Sequence, residues 1–270
     1  MKNFFSKFSQ VIFLVFLFME FKGFAGDRSV VYSVACRSAD EPDIAVGGDS
    51  KTFSLYLYNG LDSLDVKIDR DISSDNSAVV NSLAWSSTGR FLAVGGTPND
   101  ADFSAIKIYS FENFDDGDSD LLTESFWDES WSNRNANGPD VRCLDWNKPT
   151  NSDTDPTYLT VVGEFDSTHE KLTIYQLNGA SSLTEKVTQD YGTYGPVNCV
   201  NWRPGYDQLV VGGFNLDGSS DLILYSLFGS TLNVGATKDF TSTSAEAVRA
   251  LDWHPGGNYV AVAFIDCIYI

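Results

Sequence analysis

Carboxylates at alternating positions are the most obvious candidates for chemistry in this sequence. Residues 115–120 (DDGDSD) place side-chain oxygens where they would suit Ca²⁺, a cation that prefers carboxylate ligands. However, Leu121 stands where a calcium loop of the EF-hand type needs glycine, and the glutamate that closes such a loop is absent. We therefore favour a solvated polar loop over a metal site, and we expect no bound metal and no other cofactor.

Few residues are suited to acid–base or nucleophilic catalysis. The chain has 2 histidines: His169, in a polar segment, and His254, which follows a tryptophan in a predicted turn. Neither has a second ligand at metal-binding spacing, so we assign both to turns or loops. The sequence also lacks the Gly-x-Ser-x-Gly, phosphate-loop and His-Glu-x-x-His patterns.

An internal repeat organises the rest of the chain. The segment VNSLAWSSTGRFLAVGG (80–96) is echoed by VNCVNWRPGYDQLVVGG (197–213) and by VRALDWHPGGNYVAVAF (248–264). Two further copies begin at Val31 and Val141, and the first of them carries Cys36 where the others carry tryptophan. Five copies in register, about 50 residues apart, indicate a repeat architecture.

Each copy is divided into short predicted strands. A Val-x-x-apolar-x-Trp strand is followed by a turn, by an apolar strand that ends in glycine, by a strand that ends in tyrosine, and by an alternating strand. Aromatic residues are abundant and amphipathic helical patterns are scarce. The sequence therefore predicts an all-β fold, a β-propeller of four-stranded antiparallel blades, with four complete blades and an incomplete fifth.

The repeats resemble those of the WD-repeat β-propellers over nearly the whole chain. The resemblance lies in the turns Trp-Ser-Ser-Thr-Gly (85–89), Trp-Arg-Pro-Gly (202–205) and Trp-His-Pro-Gly-Gly (253–257). The Gly-His pair and the Trp-Asp pair of that family are missing, and tyrosine ends the third strand instead. The hydrogen-bond network that those pairs support in the family is therefore not expected here.

The predicted blades cover about residues 30–75, 79–135, 140–192, 196–243 and 247–270, within a domain that spans 26–270. In the last copy Phe264 replaces the strand-ending glycine, and almost no loop remains before a third strand. We interpret this end as a truncation of a ring with six or seven blades. A five-bladed or open arrangement is the alternative.

A signal peptide is predicted at residues 1–25. Lys2 and Lys7 precede a short apolar run, and Gly23 and Ala25 offer small residues before the cleavage point. The apolar run is too short for the roughly 20 residues of a transmembrane span. We therefore expect an exported, periplasmic or secreted protein with no membrane span after cleavage. Its net charge of −19 disfavours binding to nucleic acid.

Two of the 4 cysteines, Cys143 and Cys199, stand three residues before the tryptophan in successive copies. In adjacent blades these thiols lie on neighbouring innermost strands, and an exported protein meets oxidising conditions. The required Cα–Cα separation of about 5.5–6 Å is short for strands of different blades. We favour buried free cysteines and leave a disulfide open.

The resemblance implies a protein-interaction scaffold without catalytic activity. A partner would bind where the innermost strands begin, at the side chain that follows the leading valine of each copy: Tyr32, Asn81, Arg142, Asn198 and Arg249. One alternative is an extracytoplasmic propeller enzyme, a lactonase or glycan hydrolase, that uses Asp145 and Asp252, with Asn201 at the equivalent position. Another is a truncated copy without a function.

Overall fold

The computed structural model describes the chain as a succession of antiparallel sheets. The described residues are 30–37, 43–58, 64–72, 78–97, 105–111, 122–127, 140–149, 157–166, 169–179, 182–240, 247–264 and 268–269. The predicted signal peptide, the acidic segment 115–120 and Cys267 lie outside them. No helix within the described ranges is long and apolar enough to cross a membrane.

Five sheets follow one another along the chain, and we call them blades 1 to 5. Blade 1 contains β1 (Val31–Cys36), β2 (Asp43–Gly48), β3 (Thr52–Tyr58) and β4 (Leu64–Asp71). Blade 2 contains β5 (Val79–Trp85), β6 (Phe91–Thr97), β7 (Ile106–Phe111) and β8 (Leu122–Trp127). Blade 3 contains β9 (Asp140–Trp146), β10 (Tyr158–Asp166), β11 (His169–Asn178) and β12 (Ser182–Gly192).

The last two sheets differ in completeness. Blade 4 contains β13 (Val197–Trp202), β14 (Gln208–Gly213), β15 (Leu222–Phe228) and β16 (Thr231–Lys238). Blade 5 contains β17 (Ala250–Trp253), β18 (Val260–Ala263) and a short third strand, β19 (Ile268–Tyr269). Every pairing is antiparallel between sequence neighbours, so the predicted all-β fold with four four-stranded blades and an incomplete fifth is confirmed.

Most of the apolar core lies between blades. The first strands β1, β5, β9, β13 and β17 pack side by side in chain order, and four clusters of buried side chains combine consecutive blades, while a smaller cluster around Ile44, Val46 and Tyr56 lies within blade 1. Between blades 2 and 3, for example, Ile106 and Ile108 lie with Val141 and Trp146. The fold is therefore stabilised by nearest-neighbour interfaces, as in other repeat proteins.

Paired glycines allow these interfaces to close. A Cβ atom on Gly95, at the end of β6, would lie 2.5 Å from Val141 Cγ1 of the next blade. A Cβ on Gly96 would lie 2.0 Å from the backbone oxygen of Val79 in its own blade. The first glycine thus makes room for the neighbouring blade, and the second allows close approach of the innermost strand.

Candidate partner-binding face

The second residue of the repeat occupies a β-bulge in blades 1 to 4. In blade 2, Val80 pairs with Gly96 and Ser82 with Gly95, so Asn81 is the extra residue. The same irregularity leaves Tyr32, Arg142 and Asn198 as the extra residues of blades 1, 3 and 4. A bulge shifts the alternation by one residue, which explains why the valine at the first position and the apolar residue at the fourth share one face.

That shared face meets the preceding blade. A Cβ on Gly47 of blade 1 would contact both Val80 and Leu83 of blade 2. The bulged side chain, in contrast, lies where the innermost strand begins, at one end of the blade. The structure therefore places the predicted ring residues of blades 1 to 4 at equivalent points of their blades.

Asn81 joins blades 2 and 3. Its side-chain amide donates to Asp140 Oδ1 at 2.7 Å, to the Val141 backbone oxygen at 3.1 Å and to Thr97 Oγ1 at 3.2 Å. Asn198 makes an equivalent bond from blade 4 to blade 5, donating to the Val248 backbone oxygen at 2.9 Å. Both side chains therefore hold neighbouring blades together.

Arg142 lies at the centre of an acidic cluster. Its guanidinium approaches Glu170 at 2.6 Å, Glu164 at 3.2 Å and Asp140 at 3.6 Å. It also donates to the Val197 backbone oxygen of blade 4 at 3.4 Å. Glu170 in turn accepts from the Val197 backbone N–H at 3.1 Å. With three carboxylates beside one cation, this part of the face is acidic.

Tyr32 and Arg249 differ from the three residues between them because both are exposed. Tyr32 has 53% of its surface accessible, and Val30 next to it is exposed to the same extent. Arg249 is also exposed. The structure thus engages three of the five predicted site residues in contacts between blades and presents the other two, in blades 1 and 5, to solvent.

The carboxylate of Asp145 has a structural partner. Its Oδ2 accepts the backbone N–H of Trp202 at 2.6 Å and lies 3.8 Å from Lys148 Nζ. Burial raises the pKa of Asp145, while Lys148 and the Trp202 N–H oppose the rise. Asn201 does the same one blade later, where its Oδ1 accepts the Trp253 N–H at 3.1 Å.

Asp252 occupies the same position in blade 5 and is exposed. The sheet around it still desolvates its carboxyl enough to raise the pKa, and Lys148 opposes this effect. Among the described residues, no group of three His, Cys, Asp or Glu side chains is placed to hold a metal ion. His169 contacts Asp166 at 2.9 Å, and His254 accepts the Gly256 N–H at 3.0 Å within its turn.

Cys143 and Cys199 are free thiols in the structure. Cys143 donates to the Val200 backbone oxygen at 3.6 Å, and Cys199 donates to that of Gly212 at the same distance. Desolvation raises the pKa of Cys143 to about 11 and the pKa of Cys199 well above its usual value. Such protonated, buried thiols pack as small apolar groups and are poor nucleophiles.

Two arginines that sequence analysis did not single out also join blades. Arg37 Nε donates to the Gly89 backbone oxygen at 2.6 Å, and Arg203 Nε donates to that of Gly257 at 2.7 Å. Each follows the sixth position of its repeat and reaches the turn of the next blade. An arginine directly after the sixth position is the signal that could have identified them.

Successive four-stranded antiparallel sheets, packed through their first strands, define this protein as a β-propeller. The model of the WD domain, G-beta repeat, matches residues 70–103, which run from the end of blade 1 through the first two strands of blade 2. The chain is therefore a WD-repeat-like propeller, as the sequence indicated. No curated protein matches it.

Two solved structures are similar to this chain in fold at low sequence identity. A protein from Lactobacillus plantarum is 12% identical with a TM-score of 0.60, over 87% of this chain and 64% of that one. Chaetomium thermophilum Sqt1, bound to the N-terminus of the ribosomal protein L10, is 13% identical with a TM-score of 0.56, over 86% of this chain and 56% of that one. The chain thus spans 56–64% of the length of these two structures.

Proposed function

We propose that this WD-repeat-like propeller is an exported, non-catalytic scaffold that binds protein partners at the bulged face, the end of the blades that carries Tyr32, Asn81, Arg142, Asn198 and Arg249. The observation that carries the proposal is the exposure of Tyr32 and Arg249, while the three equivalent side chains between them are engaged. Tyrosine and arginine are the residue types that most often anchor protein interfaces. The export of the protein rests on its amino-terminal sequence.

Charge favours a basic contacting segment on the partner. The protein has a net charge of −19, and three carboxylates surround Arg142 on the same face. Opposite charge steers association and suppresses acidic competitors. Sqt1, which is similar in fold, is seen with the N-terminus of another protein bound to it, and this supports a mode in which a terminal segment docks on the propeller.

The engagement of Asp145 supports the non-catalytic part of the proposal. An acid or base must reach a substrate, whereas the Asp145 carboxylate is occupied by the Trp202 backbone N–H between two blades. Its equivalent in blade 4, Asn201, cannot titrate but makes the same type of bond. A structural role therefore accounts for Asp145 and Asn201 without any reaction.

Affinity capture from the extracytoplasmic fraction tests this function. The wild-type protein should capture a defined partner, and Tyr32→Ala or Arg249→Ala should weaken that capture by about tenfold, as is common for interface anchors. Tyr206→Ala is the matched control, since Tyr206 is 51% exposed in the turn at the other end of its innermost strand. Raising the salt concentration should slow association.

Two results would contradict the proposal. One is equal capture of every partner by the wild type and by both variants of the bulged face. The other is hydrolysis of lactones or glycosides by the purified protein that Asp252→Asn abolishes, because this would make the extracytoplasmic enzyme the correct alternative.

A further inference from the structure

Tyr194 is an exposed aromatic residue on the bulged face, and its sequence context did not single it out. It lies in the segment 193–196, which joins β12 of blade 3 to β13 of blade 4, and 65% of its surface is accessible. Both blades are four-stranded, and each packs against a further blade on its other side. The exposure of Tyr194 is therefore a property of the end face of these two blades.

Two tight loops hold Tyr194 in place. A Cβ atom on Gly195 would clash with the Phe214 backbone oxygen, and the Phe214 N–H donates to the Pro196 backbone oxygen at 3.1 Å. The Tyr194 ring crosses Gly218, which has a φ of +87°, and a Cβ on this glycine would lie 3.5 Å from Tyr194 Cε1. Because the ring is already fixed by these contacts, a partner that binds to it loses little further conformational entropy.

A carboxylate lies on one side of this ring. Asp217, which directly precedes Gly218, is exposed and accepts the backbone N–H groups of Ser219 at 3.0 Å and Ser220 at 2.7 Å. Desolvation favours a higher pKa for Asp217, but the hydrogen bonds from the backbone and hydroxyl groups of the two serines outweigh it and lower the pKa. The Asp217 carboxylate is therefore ionised at neutral pH.

Glu170 lies at the base of the segment 193–196. It pairs with Gly192 just before this segment, and its Oε2 accepts the backbone N–H of the first residue of β13, just after it, at 3.1 Å. Glu170 and Glu164 both contact the guanidinium of Arg142, at 2.6 and 3.2 Å, so two carboxylates share one cation. Negative charge is therefore in excess on this side of the exposed tyrosine as well.

An exposed tyrosine at the other end of blade 4 shows what such a ring can bind. The Arg203 guanidinium lies 3.9 Å from the Tyr206 ring centroid, and it also donates to Gln208 Oε1 at 2.6 Å and to the Gly257 backbone oxygen at 2.7 Å. Among the described residues, no arginine or lysine lies over the ring of Tyr194 in this way. The ring of Tyr194 is thus open to a cation from outside.

We propose that Tyr194 and Asp217 bind an arginine side chain of an extended, basic segment of the partner. The guanidinium stacks on the Tyr194 ring and donates to the Asp217 carboxylate, while Glu164 and Glu170 attract the other positive charges of the segment. Arginine fits better than lysine because its planar group stacks and donates at once, as at the other end of blade 4. This inference deepens the proposed function and rests on it, since it names the side chain that a basic partner places on the bulged face.

Titration of the full chain with two matched peptides tests the inference. The probes are a labelled peptide Gly-Ser-Arg-Gly-Arg-Ser-Gly and the same peptide with lysine in place of arginine, and fluorescence anisotropy measures their binding. We expect saturable binding of the arginine peptide and about fivefold weaker binding of the lysine peptide. Tyr194→Ala should weaken binding of the arginine peptide about tenfold, whereas Tyr194→Phe should keep most of it, because the ring remains. Tyr206→Ala is the matched control and should bind like the wild type.

Asp217→Asn isolates the contribution of the charge. The amide oxygen still accepts the N–H groups of Ser219 and Ser220, so the loop is retained, while binding of the arginine peptide should weaken about fivefold. Binding of the arginine peptide that Asp217→Asn leaves unchanged would remove Asp217 from the site and overturn the inference.

Three further results would overturn the inference. They are a failure of the arginine peptide to bind, equal binding of the arginine and lysine peptides, and equal binding of the arginine peptide to the wild type and Tyr194→Ala. A concentration-dependent dimer in sedimentation velocity that Tyr194→Ala abolishes would assign the site to a second copy and would also overturn it. If partner capture depends on Tyr32 and Arg249 while Tyr194→Ala changes neither capture nor peptide binding, the proposed function stands without this inference.

Discussion

The first two interfaces between blades and the last two differ in the side chain that accepts a backbone N–H of the next innermost strand, and also in which N–H it accepts. Between blades 1 and 2, Ser33 Oγ accepts the Leu83 N–H, and between blades 2 and 3, Ser82 Oγ accepts the Leu144 N–H, both at 2.9 Å. In the last two interfaces the third position is cysteine, and the acceptors are Asp145 and Asn201 at the fifth position.

The two arrangements exclude each other along the chain. Where the third position is serine, the fifth is alanine, as in Ala35 and Ala84; where the third is cysteine, the fifth is a carboxylate or an amide. An innermost strand has one edge without a strand partner, and an unsatisfied N–H at that edge is costly when it is buried. At each described interface one side chain of the preceding blade accepts such an N–H, and the acceptor and the N–H that it binds both move by two residues between the first two interfaces and the last two.

The largest expected effect follows from removing a buried tryptophan, and it tests whether the two kinds of interface contribute equally to the free energy of unfolding. Trp146 and Trp202 fill the second and third interfaces and are 1% and 0% exposed. Trp146→Ala and Trp202→Ala should each lower the free energy of unfolding by about 3–5 kcal/mol, since each removes a large buried side chain. Denaturant titration followed by circular dichroism measures the loss. A loss for one variant that is under half the other would show that the interfaces differ in strength.

Removing the acceptors compares the two arrangements directly. Ser82→Ala and Asn201→Ala should each cost about 1–3 kcal/mol, because a backbone N–H loses its acceptor in each case. The exposed Ser87 provides the control, and Ser87→Ala should leave the denaturation midpoint unchanged. If neither acceptor variant loses stability, water replaces the side chains, and the position of the acceptor has no effect on the free energy of unfolding.

The arginine that follows the sixth position makes the same kinds of contact at the first interface and at the last. The Arg203 guanidinium lies 5.5 Å from the Trp253 ring centroid, and that of Arg37 lies 5.4 Å from the Trp85 ring centroid. Arg203→Ala should cost about 1–2 kcal/mol through the lost bond to Gly257 and the lost ring contact. Arg203→Lys should recover little, because an ammonium does not reproduce the Nε geometry. Full recovery by lysine would show that only the charge matters.

The smallest expected effect is on the pH dependence of folding stability, to which Asp145 contributes and Asn201, which does not titrate, does not. Burial raises the pKa of Asp145 above its ordinary value of 3.8, so the folded state holds this proton to a higher pH than the unfolded state. As the pH rises from that value through the raised folded pKa, ionisation of Asp145 lowers the stability of the fold. Asp145→Asn should remove this decline and be more stable than the wild type at neutral pH, with the difference shrinking in acid.

Thermal melts between acid and neutral pH measure this difference. Asn201→Asp is the reciprocal change and should introduce the same decline at the fourth interface. Parallel pH profiles for the wild type and Asp145→Asn would mean that the Trp202 N–H and Lys148 offset the desolvation of the carboxylate completely.

Much of the fold could be predicted because the repeat expresses it locally. The turn that follows Trp85, the tyrosine of the third strand in blades 1 to 4 and the alternating fourth strand depend on neighbouring residues, which a single sequence displays, although the third strands of blades 2 to 4 run two or three residues past that tyrosine. The bulge depends on the register between two strands. Its trace is the apolar pair at the first and fourth positions, since period-2 alternation would place these side chains on opposite faces.

The functional assignments were harder to predict, because their outcome depends on contacts between blades. Asn81 and Asn198 have the same residue type and position as a solvent-exposed anchor would have, yet the next blade's backbone oxygen lies within their reach. Asp145 was a catalytic candidate on its position, and only the distance to the Trp202 N–H shows its structural bond. Whether Tyr32 and Arg249 are exposed likewise depends on which side of their blade another part of the fold covers, and the residues of one repeat do not show this.

Transfer of the acceptor within the fourth interface tests the central claim most directly. Asn201→Ala removes the acceptor at the fifth position, and Cys199→Ser in the same chain introduces a hydroxyl at the third, which reproduces the Ser–Ala arrangement of blades 1 and 2. The double variant should regain more than about half of the stability that Asn201→Ala loses, because the new hydroxyl would accept the Leu251 N–H as Ser82 accepts the Leu144 N–H, in place of the lost bond to the Trp253 N–H. Equal stability of the double variant and Asn201→Ala would contradict an exchange of acceptor positions between the two halves of the propeller.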